Sequence, residues 1–114
     1  MADPRPRGMP WITPYLTVRD AKKSIGFYKK AFGFESMGVM KDKGKIMHVG
    51  MTYKKQVVLM FSPEGAMGDE MRTPKTMKVM AAEAHHLYVD DVDATYAKAI
   101  KAGARSVSKP EDTF

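Results

Sequence analysis

Two histidines and three aspartates crowd around a short apolar run in AEAHHLYVDDVDATYAKAI, residues 82–100. The chain has no cysteine and only three histidines, so apart from His48 every imidazole lies in this stretch. A borderline metal such as zinc needs three or four N, S or O donors converging at close range. Asp90, Asp91 and Asp93 lack the glycine and the distal glutamate of a calcium loop. Helix capping and negative charge on a first helical turn account for them better. Other catalytic signatures are missing: there is no GxGxxG, no phosphate-cradling P-loop, no GxSxG elbow and no thiol nucleophile. Glu35 falls at a strand start, and Glu64 and Glu83 bracket a linker, so no acid and base are paired by position.

The elements that must carry these groups follow from pattern. ITPYLTV, residues 12–18, is rich in β-branched residues and alternates, which predicts a strand. Asp20 then offers an N-cap oxygen. Ala21, Ile25, Tyr28 and Phe32 fall on one face of a helix that stops at Gly33. FESMGVM (34–40), KIMHVGMTY (45–53) and QVVLMF (56–61) read as strands joined by breaks short enough for antiparallel hairpins. The first part of the chain is therefore βαβββ. Residues 62–82 lose the alternation and carry two prolines, two glycines and four methionines, as a linker does, with room for a helix in its second part. Met67, Met71, Met77 and Met80 in it suit gap-filling contacts. AHHLYV (84–89) reads as a further strand, Asp91 as an N-cap, VDATYAKAIKA as a helix, and Gly103 as its stop.

Sliding the chain on itself by 71 residues lays Leu16, Val18, Asp20, Lys30 and Ala31 on Leu87, Val89, Asp91, Lys101 and Ala102. Strand, aspartate cap, helix and glycine stop recur in the same order, the mark of an internal repeat.

Composition bounds the rest. A chain of 114 residues holds one domain's worth of core, and 44% hydrophobic with 28% charged residues suits a globular protein. The N-terminal MADPRPRGMP has basic residues without the apolar run of a secretion signal, and is expected to be a disordered leader over residues 1–10 of a cytoplasmic protein. The balance of 19 Lys and Arg against 13 Asp and Glu gives +6, but the lysines come as scattered pairs without interleaved aromatics. That describes a solvated exterior, with neither nucleic acid nor membrane as partner.

The segments PYLTVRDAKKSIGFYKKAFGFE and HLYVDDVDATYAKAIKAGA resemble the vicinal oxygen chelate superfamily, which holds glyoxalase I, bleomycin-resistance proteins and extradiol dioxygenases, and within it the PhnB-like glyoxalase-related group. The likeness covers most of residues 11–108. It implies an α+β fold of paired βαβββ modules whose sheets curl around a cavity, and a homodimer. The first module would span 11–61, the linker 62–82 and the second module 83–114, with a strand, a helix and at most one further strand. The second module would thus be incomplete, its sheet finished by residues beyond Phe114 or by a partner chain.

In metal-using members the resemblance places a ligand at the start of each module's first strand and a glutamate on each last strand. Here three of the four fall on Thr13, Ala84 and Leu59, none of which donates a strong ligand, and the fourth is expected beyond Phe114. The metal site is therefore expected to be missing, and no cofactor is expected. Alternation decides which side chains see the cavity. If Leu16, Val18, Leu87 and Val89 face the helices, then Tyr15, Thr17, His86 and Tyr88 face inward and His85 faces away. With His48 and Phe61, and Trp11 at the rim, these residues are expected to line a site for a small organic ligand. The alternative function is a metal-dependent lyase of glyoxalase type, or a dioxygenase, on the same fold.

Overall fold

In a computed structural model, which describes residues 2–68 and 70–112, the elements run β1 (Tyr15–Val18), α1 (Ala21–Phe32), β2 (Glu35–Asp42), β3 (Lys45–Tyr53), β4 (Gln56–Pro63), α2 (Pro74–Met77) and α3 (Val92–Ala102). Met1, Asp69, Thr113 and Phe114, at the ends of the expected leader and second module and within the linker, lie outside the described residues.

The two longer helices begin alike. Asp20 and Asp91 are both extended, at φ −137°, ψ 104° and φ −135°, ψ 102°, and each carboxylate accepts the backbone N–H three residues on, from Lys23 and Ala94. This satisfies one of the donors that a helix start leaves orphaned. At the other ends Gly33 (φ 73°) and Gly103 (φ 114°) take the left-handed conformation that glycine adopts without a Cβ clash. α1 has 12 residues and α3 has 11, so the repeat of 71 holds at the aspartates and slips by one at the glycines.

Strands β2, β3 and β4 form antiparallel hairpins, and β1 lies parallel to β4 on its outer side, giving the order β1-β4-β3-β2. One face of this sheet is covered by α1. Phe34, Val49, Met51, Leu59 and Phe61 form the buried core with Ala21, and Leu16, Val18, Ile25, Tyr28 and Phe32 close around it. Aromatic rings fill the seam: Tyr28 stacks on Phe34 at 5.9 Å and 11°, and lies 6.0 Å from Phe61. Burial pushes the Tyr28 phenol above its ordinary pKa. Helix α3 lies against α1, away from the sheet.

Several boundaries and one element differ from expectation, and β2, expected at 34–40, runs Glu35–Asp42. β1 starts at Tyr15, not at residue 12, and β4 runs on through Ser62 and Pro63, because pairing with β1 continues to Val18 opposite Pro63. The linker does contain a helix, one turn at Pro74–Met77 capped by Thr73. Residues 84–89, expected as a strand, form none. Their alternation survives, with Leu87 and Val89 half-buried and His86 and Tyr88 exposed. What is lacking among the described residues is a neighbouring strand: the backbone groups of an extended segment become a strand only by bonding to another.

Candidate functional site

The face of the sheet opposite α1 is set by parity. Val49 and Met51 on β3, Leu59 and Phe61 on β4, and Leu16 and Val18 on β1 all point to the core. Their neighbours His48 and Gly50, Met60 and Ser62, and Tyr15 and Thr17 therefore share the other face. Across β2 the register sets Met37 opposite Gly50 and Met40 opposite His48, so two exposed methionines stand on that face as well. Gly50 keeps the floor low, since a Cβ there would lie 3.1 Å from the Met37 carbonyl oxygen.

Three polar side chains from three strands meet on this face. Tyr15 Oη lies 2.7 Å from His48 Nδ1 and 2.6 Å from Ser62 Oγ, and the Tyr15 and His48 rings are 5.6 Å apart. Tyr15 pairs with Met60 in the ladder, so its phenol reaches diagonally to the next row to touch Ser62. Ser62 is 1% exposed, and among the described residues no buried side-chain polar atom lacks a hydrogen-bond partner. Tyr15 remains 42% exposed, so the cluster has an open side.

The expected lining divides. Tyr15 and His48 come together as parity requires. Thr17 is half-buried on the same face and also borders a groove with Arg19, Lys23, Phe27 and Lys75. Phe61 is corrected: it is 0% exposed and faces Tyr28 in the core, because its ladder partner Leu16 faces that way. His86 and Tyr88 pair with each other, ring centroids 4.8 Å apart, on an exposed segment, and among the described residues no hydrogen bond or ring contact joins them to the Tyr15 cluster. His85 is exposed, with Nε2 3.6 Å from Glu83 Oε1. Trp11 is 72% exposed, with the Arg5 guanidinium stacked 4.0 Å from its ring. The six residues thus do not enclose one pocket. Ser62 went unnoticed because QVVLMF is apolar throughout and hides its parity, and because Ser-Pro reads as a strand end.

The metal positions inferred from the sequence are also altered. Leu59 is buried in the helix-facing core, and Ala84 is exposed outside any strand. Among the described residues no three His, Cys, Asp or Glu side chains converge. The Tyr15 cluster offers one imidazole and two neutral hydroxyls, a donor set that does not fit a divalent ion.

A family model of the Glyoxalase/Bleomycin resistance protein/Dioxygenase superfamily matches residues 8–114. The chain belongs to this superfamily. It is 34% identical over 105 residues to an uncharacterized protein of Mycobacterium bovis, covering 90% of this chain and 68% of that one. An uncharacterized protein of Mycobacterium tuberculosis matches at the same identity, and there the chain spans 61% of the relative's length. Among solved structures, a gene product of Arabidopsis thaliana superposes with a TM-score of 0.66 at 20% identity, over 90% of this chain and 80% of that one. A glyoxalase/bleomycin resistance protein/dioxygenase family enzyme from Burkholderia phytofirmans superposes with a TM-score of 0.56 at 22% identity, over 88% and 78%. These structures share the fold with this superfamily member. Among its described residues no helix is long and apolar enough to cross a membrane.

Proposed function

We propose that this protein binds a small organic molecule on the sheet face opposite α1, without a metal ion. The observation that carries the reading is the meeting of Tyr15, His48 and Ser62, from three different strands, at an open face. Sites for small molecules combine apolar walls with a few convergent polar groups. Here Met37, Met40 and Met60 supply walls of flexible, polarisable side chains, and the three polar residues supply orientation. The second histidine–tyrosine pair, His86 and Tyr88, belongs to the reading only if 84–89 docks as a strand and brings them over the site, with the cavity closed by a further sheet from the same chain or from a second copy in a homodimer. On this proposal the protein falls within the PhnB-like group, a reading that the FYKKAFGFE segment supports.

The test titrates the protein with a panel of aromatic and glycopeptide ligands, and measures metal by plasma mass spectrometry after dialysis against nickel, manganese, iron(II) and zinc salts. Saturable binding that Tyr15→Phe weakens, in protein with metal far below one equivalent, is the expected result. Near-stoichiometric metal surviving dialysis would replace this reading by a metal-dependent lyase or dioxygenase. No saturable binding at any ligand would end it.

A further inference from the structure

The hydrogen-bond chain on the open face has a direction, and the direction selects a ligand. Ser62 is 1% exposed, and Tyr15 Oη is its hydrogen-bond partner. A buried hydroxyl proton needs an acceptor, so the Ser62 hydroxyl donates to Tyr15 Oη. The Tyr15 proton then has His48 Nδ1 before it at 2.7 Å. The opposite polarity, with His48 Nδ1–H donating to Tyr15 and Tyr15 to Ser62, would leave the buried Ser62 proton without a partner. With Nδ1 accepting, a neutral imidazole carries its proton on Nε2, since the bond made by one ring nitrogen fixes the state of the other. Among the described residues Nε2 has no hydrogen-bond partner.

We propose that Ser62 and Tyr15 act as positioning residues that hold His48 as an Nε2–H donor, and that the ligand presents an acceptor oxygen, a carboxylate or carbonyl, to that N–H. Glu35, the carboxylate that parity puts on this face, pairs with Thr52, four residues along β3 from His48, and none of Tyr15, Thr17, Gly50, Met60 and Ser62 carries a carboxylate to compete for the donor. The inference rests on the ligand-binding reading above and adds to it the tautomer and the ligand class.

The experiment has two arms. Two-bond proton–nitrogen correlation spectra of the 15N-labelled protein read the His48 tautomer with no ligand present. Titration with benzoate, benzamide and benzylamine, three probes of one shape, reads the ligand class. The expected result is an Nε2–H tautomer that becomes mixed in Tyr15→Phe and in Ser62→Ala. Benzoate and benzamide should shift His48 Nε2, with benzoate binding about tenfold tighter than benzylamine. An Nδ1–H tautomer in the unaltered protein would overturn the inference while leaving ligand binding intact. So would tightest binding of benzylamine. Failure of all three probes together with the wider panel would instead sink the binding reading itself, and the ligand class with it.

Discussion

From Leu16 to Gly33 and from Leu87 to Gly103 the chain runs the same local sequence of instructions, yet one run enters a sheet and the other does not. Both have an extended aspartate whose carboxylate takes the N–H three residues on, and both end on a left-handed glycine. Those features depend on a few neighbouring residues, so they repeat faithfully. The strands differ because a ladder is not local. Tyr15–Val18 has β4 beside it, whereas 84–89 has no strand neighbour among the described residues. Helix caps are thus properties of a segment, while strands are properties of a pair.

Core substitutions should separate the two regions most. Phe61→Ala removes a ring that is 0% exposed between α1 and the sheet, and should cost about 3–5 kcal/mol in urea unfolding. Leu87→Ala, from a half-buried side chain resting on the same core, should cost about 1–2 kcal/mol. Equal losses would mean that the second run is as firmly built in as the first.

The caps sharpen the comparison at a smaller scale. Asp20→Ala and Asp91→Ala should each cost their helix about 1 kcal/mol, since the two geometries match. Hydrogen exchange should report the first as a loss of protection across the whole sheet and the second as fraying confined to α3. Sheet-wide loss from Asp91→Ala would contradict the view that α3 is held from one side.

The smallest effect concerns the segment that joins the two regions. Glu64 accepts the Thr73 N–H at 2.7 Å and the Thr73 hydroxyl at 3.1 Å. The Thr73 backbone N–H, then the Thr76 hydroxyl, hold its carboxyl below the ordinary value of 4.5. A depressed pKa means that the contribution is fully present above the ordinary value and is lost as pH falls through the lowered one. Protection of the Thr73 amide, corrected for its intrinsic exchange rate, should therefore decline in acid below that value, and Glu64→Gln should remove the dependence. Unchanged protection across this range would show that the carboxylate does not hold the loop.

The same contrast explains what the sequence could and could not disclose. Asp20, Gly33, Asp91 and Gly103 announce their roles because capping chemistry is short-range. Tyr15 is legible by parity within its alternating strand, whereas His48 stands out only as the one imidazole on the third strand. Phe61 was misplaced and Ser62 missed because β4 is apolar at five successive positions, so its two faces look alike until its register against Leu16 and Val49 is known. His86 and Tyr88 were assigned to the site on the assumption that their segment pairs, which is the kind of information one strand does not carry alone.

The central claim is that the ligand sits by His48 on the sheet and does not require His86 on the unpaired segment. Calorimetric titration of benzoate into the unaltered protein, His48→Ala and His86→Ala tests it most directly. The account predicts a loss of about tenfold in affinity for His48→Ala and a change within about twofold for His86→Ala. Affinity lost in His86→Ala and retained in His48→Ala would place the site on residues 84–89 and contradict the account.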